Sequence, residues 1–218
     1  MFSAEGTKEP EPGAGQSSWK ERQRRERERL IMQSAEEIVL EKGLHSVSMD
    51  EIAARVGISK GTLYLHFAKK EDLFLALLEQ ELHACLAILL DITAVDDTDV
   101  SAKLESIIRR IYQELLGKRF QLFYELYNGV DLQSLLARKR KQAMTIFVEI
   151  SSRVRALLEN GKARGIFEAT LPTEVMLGTF FSMISPRVYK ILVVNQGMAT
   201  EDLAGYIASI YLKGIAAR

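Results

Sequence analysis

The stretch from Ser48 to Phe67 holds the residues with the clearest chemical use. Lys60, Thr62, Tyr64 and His66 are the positions left to solvent once the apolar residues around them are assigned inward. They offer a cation, hydroxyls and an aromatic edge, groups suited to the phosphates and base edges of a nucleic-acid duplex. A helix starting at Lys60 would add the partial positive charge and free N–H groups of its first turn. Lys70, just beyond, could supply one more phosphate contact.

Other chemistry is hard to assemble. His83 and Cys85 stand two apart, on different faces of a helix, and make a poor metal pair. Neither Cys-x-x-Cys nor His-Glu-x-x-His occurs. Gly161-Lys162 lacks the upstream glycine and following Ser/Thr of a phosphate-binding loop. Asp96, Asp97 and Asp99 lack the glycine and terminal glutamate of a calcium loop and read as a solvated turn. No general acid–base set stands out. The expectation is a non-enzyme with no metal and no cofactor.

The elements that would carry Lys60–His66 follow from periodicity. Proline is absent from 13 to 171, and sustained period-2 alternation is missing, so the fold reads as all-α. Helices are expected at about 18–42, 49–56, 60–66 and 70–92, then after the Asp96–Asp99 turn, at 119–128, 131–164, 173–195 and 201–216. Ser48 and Glu51 predict a capping box for the second helix, and Ser59 an N-cap for the third. Gly57 supplies the tight turn between them. Ile52, Ala53, Val56, Ile58 and Leu63 have the spacing to hold the pair together, and Phe67 reads as core. This is a helix-turn-helix layout, whose second helix enters the major groove.

Residues 31–73 resemble the DNA-binding domain of TetR-family transcriptional regulators. The likeness rests on Ile31, Ala35, Ile38 and Gly43, then Ser48, Ile52-Ala53 and Val56–Tyr64, then Phe67, Lys70-Glu71 and Leu73. Val39 stands where an aromatic is common, and Leu65 where a polar or aromatic residue is frequent. The resemblance implies a homodimer reading a near-palindromic operator, most often as a repressor released by a small effector. It implies a DNA-facing set of Ser48, Ser59, Lys60, Gly61, Thr62, Tyr64, His66 and Lys70. A helical protein-interaction module, or an activator without an effector, is the alternative.

The chain then divides into a tail (1–17), a three-helix head with the helix-turn-helix (18–69) and a larger C-terminal helical bundle (70–218). The bundle is the expected effector-binding and dimerisation part. Apolar pockets often sit between bundle helices. The expected lining is Phe120, Phe123, Tyr124, Tyr127, Met144, Phe147, Phe180, Phe181 and Met183, suited to a hydrophobic or aromatic effector. Ile184, Val188, Ile191, Ile207, Ile210 and Tyr211 are the expected dimer contacts, through a four-helix bundle. Pro186 should kink its helix.

Charge and composition agree with this division. The 218 residues balance 29 basic against 29 acidic side chains, with 47% hydrophobic. From Gln16 to Lys70 there are 11 basic and 8 acidic residues, a net of +3. Six of these basic residues crowd into Lys20–Arg29, interleaved with Glu21, Glu26 and Glu28, so that pairs such as Glu21–Arg25 also fit a solvated helix. The single cysteine excludes an internal disulfide framework, and the polar start does not resemble a secretory signal. The expected compartment is the cytoplasm.

Overall fold

The computed structural model describes residues 14–94, 99–129 and 141–217. Its elements are α1 (Ala14–Lys42), α2 (Met49–Val56), α3 (Lys60–His66), α4 (Lys70–Thr93), α5 (Val100–Arg110) and α6 (Lys118–Gly129), then α7 (Lys141–Ala163), α8 (Thr173–Met183), α9 (Pro186–Tyr189) and α10 (Thr200–Ile215). Ile111–Gly117, between α5 and α6, and Lys190–Asn195, after α9, are π-helical. No strand occurs among the described residues; one antiparallel bridge, Phe167 to Ala216, ties down the C-terminal end. The chain is all-α, with an N-terminal helix-turn-helix head and a larger helical body.

Two expectations change, and others lie outside the described residues. The first helix reaches back to Ala14, into the expected tail, whose residues 1–13 lie outside the described residues. The seventh helix is described only from Lys141, so its expected start at 131–140 lies outside the described residues, as do Asp96 and Asp97. Pro186 breaks its helix instead of kinking it. Ile184 and Ser185 leave helical geometry, and Pro186 restarts the chain at the first position of α9, where its missing N–H costs nothing. The buried stripe of α4 runs through Leu73, Phe74, Leu77, Glu81, Leu86, Ile88 and Leu89, with Leu75 and Leu78 half-buried.

Two apolar cores result. The head core gathers Ile31, Ile38, Leu44, Ile52 and Leu63, together with Leu73 and Leu77 from α4 and Leu122 and Leu126 from α6. The body core is built on Leu104, Ile107, Tyr112, Val154, Leu158, Phe180 and Ala208. Thus α4 begins in one core and ends in the other, and α6 lies against the head. Polar contacts reinforce the junction: Gln121 Nε2 donates to Leu40 O at 2.8 Å, and Leu44 N donates to Glu125 Oε2 at 3.0 Å. By length and composition alone α4 and the Thr173–Asn195 segment could pass for membrane spans, but α4 is shared between the cores and the second segment is broken before Pro186.

Candidate nucleic-acid interface and apolar cavity

The turn that sets α3 is built as the residue types require. Gly57 is left-handed (φ 75°, ψ 32°), and Ile58 N donates back to Ala53 O at 3.0 Å, closing α2. Ser48 Oγ accepts from Asp50 N at 3.2 Å. The reciprocal Glu51 contact of the expected capping box is replaced: Glu51 meets Lys42 at 2.7 Å and Arg55 at 3.4 Å. Arg55 also holds Glu41 of α1 with two hydrogen bonds of 2.7 and 2.8 Å, fastening α2 to α1, and this contact holds the Glu41 carboxyl below its ordinary pKa. Ser59 Oγ accepts from Thr62 N at 3.1 Å and lies 2.8 Å from Thr62 Oγ1. Leu63 and Phe67 point into the head core.

Solvent therefore meets Ser48, Ser59, Lys60, Gly61 and Tyr64, with Thr62 and Lys70 half-buried. Lys60 Nζ stands 2.5 Å from Asp50, both exposed; Lys70 Nζ donates to His45 O at 3.3 Å and lies over the Phe74 ring. His66 departs from expectation. Its side chain is only 8% exposed, and Nδ1 lies 3.2 Å from Glu28 Oε1 on α1. It packs the last turn of α3 against α1 and so drops from the outward set. Leu65 takes that place, 82% exposed beside Tyr64 at 48%. An apolar side chain held in solvent on this helix suits a thymine methyl. The anomaly at position 65 was visible in the sequence, but its exposure was not. Along α1, Arg24–Glu28 and Arg29–Glu26 pair at 3.0 and 2.7 Å, so much of the basic run is self-neutralised.

The body holds an apolar cavity of about 220 Å3 between α4, Ile111, α7 and α8. Its wall includes Leu82, Cys85, Leu89, Phe147, Ile150, Phe180, Phe181 and Ile184, plus one charged residue, Glu81. Of the expected lining, Phe147, Phe180 and Phe181 meet there, in ring contacts of 5.3 and 5.5 Å. Met144 is exposed on α7 and outside the wall; Met183 packs on the body core while its carbonyl accepts from Tyr112 OH at 2.6 Å. Tyr124 lies under Lys190 Nζ at 4.0 Å, away from the cavity. The side chains of Phe120, Phe123 and Tyr127 lie outside the described residues. Burial pushes the Cys85 thiol up to about 12, which leaves it protonated and slow to react.

Glu81 was missed from the sequence. It is 1% exposed, and Arg119 Nη1 stands 2.9 Å from its Oε1. Arg119 Nη2 reaches Glu36 of α1 at 2.5 Å. Arg119 has non-helical torsions (φ −125°, ψ 23°) at the start of α6, and that kink places it between the two carboxylates. The available signal was an acid four residues after Leu77 and seven before Ile88, on the apolar stripe of α4. Among the described residues no group of three or more His, Cys, Asp or Glu side chains could hold a metal ion.

Of the expected dimer contacts, Ile191 and Ile210 are exposed, at 52% and 63%. Ile184, Val188 and Ile207 are half-buried against the body's own core. Tyr211 is 2% exposed, and its hydroxyl donates to Met176 O at 3.0 Å, so it belongs inside the subunit and not on its outer face.

Residues 31–77 match the family model described as bacterial regulatory proteins, tetR family. The HTH-type transcriptional regulator SrpR of Pseudomonas putida is 21% identical over 84% of this chain and 80% of its own length. The fatty acid degradation regulator FadR from Bacillus halodurans has the same fold, with a TM-score of 0.71, 21% identity, and coverage of 88% of this chain and 97% of that one. FadR from Bacillus subtilis, solved in complex with stearoyl-CoA, superposes with a TM-score of 0.64, 21% identity, and coverage of 85% and 98%. With its helix-turn-helix geometry, the head of this chain, residues 31–77, belongs to the tetR family of bacterial regulatory proteins.

Proposed function

We propose that the protein is a homodimeric, ligand-responsive repressor acting on a near-palindromic operator in the cytoplasm, and that a compact apolar or aromatic effector releases it. One observation carries the reading: α4 contributes Leu73 and Leu77 to the head core and Leu82, Cys85 and Leu89 to the cavity wall. A helix common to both sites transmits a change in one to the other. The ligand does so only through different affinity for the DNA-competent and DNA-released arrangements. Two recognition helices must meet successive major grooves, ~34–36 Å apart, so a small tilt of the heads suffices to lose one of them. The FadR neighbour bound to stearoyl-CoA supports a ligand in this fold; the cavity described here is too small for a fully extended stearoyl chain and favours something shorter.

Dimerisation is supported by Val175, Ile191, Val194, Tyr206 and Ile210, which stay exposed on α8, α10 and the segment following α9. Exposed large apolar residues, where they form one patch, commonly mark an interface. Ile210→Glu should give a monomer in sedimentation experiments while leaving the helical content unchanged.

The test of the whole reading is retention of chromosomal fragments by the purified protein at rising salt, with and without small molecules extracted from the cells. A site-selective complex that the extract dissolves supports a released repressor. Equal binding in both cases rejects the effector switch, and loss of site selectivity rejects the operator reading.

A further inference from the structure

Glu81 lines the apolar cavity, and Arg119, which it meets, lines a separate cleft of about 710 Å3 together with Gln80 and α1 residues such as Met32 and Glu36. The carboxylate is almost wholly buried, and among the described residues neither oxygen makes a well-formed hydrogen bond, despite the nearby Arg119. A buried acceptor without a donor is costly, and native structures rarely keep one. Water is a poor solution here. A buried water needs two to four polar partners, and the rest of this wall is aliphatic, aromatic or thiol. A ligand that fills the apolar space and brings its own donor satisfies both demands. A void of about 150 Å3 admits a benzene ring, so this cavity of about 220 Å3 has room for a ring with a short chain. An anion would face a buried carboxylate across a low-dielectric wall and be repelled.

We propose that Glu81 is the polar anchor of this cavity and selects a compact apolar ligand carrying a hydrogen-bond donor, an alcohol or a protonated amine, over an equally shaped carboxylate or hydrocarbon. The proposal rests on reading the cavity as the effector site. It also explains how occupancy reaches the head. Arg119 is held by Glu81 and by Glu36 of α1, so a donor that draws on Glu81 changes the balance of that bridge.

The test uses four probes of matched shape: 3-phenylpropan-1-ol, 3-phenylpropylamine, 3-phenylpropanoate and n-butylbenzene. Binding to the full chain is measured by calorimetry. Location is read from protection of Cys85, the single cysteine, which lines the cavity, against methyl methanethiosulfonate. The alcohol and the amine should bind about tenfold or more tightly than the carboxylate and the hydrocarbon, as expected of a bond to a charged acceptor. Glu81→Gln should abolish the preference for the amine while n-butylbenzene binds as before. If no probe protects Cys85, the cavity reading itself fails. If all four protect it equally, or the carboxylate binds best, the cavity stands and the role of Glu81 is overturned. A preference that persists in Glu81→Gln also overturns it.

Discussion

Arg119 Nη1 lies 2.9 Å from the Oε1 of Glu81, and the same guanidinium reaches Glu36 at 2.5 Å, so one cation spans the helix that opens the head and the helix that runs into the body. Burial pushes the Glu81 carboxyl up to about 7, against the lowering effect of Arg119 and with a smaller push from Glu36. Above its ordinary range the folded state therefore binds a proton that the unfolded chain does not. The stability this contributes is complete below about pH 4.5 and is lost as pH rises through about 7. Thermal melts should fall between about pH 5 and 8 in the wild type, and Glu81→Gln should flatten that decline. A slope unchanged in the variant would remove Glu81 as its source.

Arg119→Met leaves two carboxylates without their shared cation. Breaking a buried pair costs on the order of 3 kcal/mol. The loss should be larger at pH 8 than at pH 5, where Glu81 takes up a proton. Adding Glu81→Gln to Arg119→Met should recover part of the stability, a coupling that denaturant melts of the four species would measure. Simple additivity would mean that the pair does not interact.

Gly57→Ala tests the turn. A Cβ at this position meets nothing within 4 Å, so only its left-handed backbone resists the change. A cost of about 1–2 kcal/mol is expected in chemical denaturation. A neutral result would mean that the turn does not need this conformation.

At Gly161 the resistance is steric. A Cβ would stand 2.1 Å from the ring of Phe167, which is fully buried beside the bridge to Ala216. Gly161→Ala should destabilise by about 1–3 kcal/mol, despite alanine's better helix propensity. A stabilised variant would contradict this packing.

Lys60 and Leu65 should separate two kinds of DNA contact. Lys60→Ala should weaken binding evenly across sequences and reduce the salt slope by about 1. Leu65→Ala should leave the slope unchanged and lose about tenfold in affinity, only at sites whose matching base pair carries a thymine methyl. The readout is fluorescence anisotropy over a salt series, on the operator and on base-substituted copies of it.

Local rules carried much of the reading. The bounds of α2 and α3 follow from Ser48, Ser59 and Gly57, because caps and turns depend on neighbours a few residues away. The inward faces of Ile52, Ala53 and Leu63 follow from helical spacing, which is also a short-range property. The family resemblance rests on the same compact run.

Long-range packing settled the rest. Periodicity put His66 beside Tyr64 on the outer side, but Glu28, 38 residues earlier, draws its ring inward. Tyr211 had the spacing of an interface residue, but Met176 offers its hydroxyl an acceptor inside the subunit. Glu81 acquires its environment only when α6 brings Arg119 beside it and α7 and α8 set an apolar wall in front of it. Helix formation is decided by near neighbours, so the chain determined its helical elements and its DNA-reading turn alone. Which side chains are buried, and against what charge, depends on how those helices pack, and only the tertiary structure decided that.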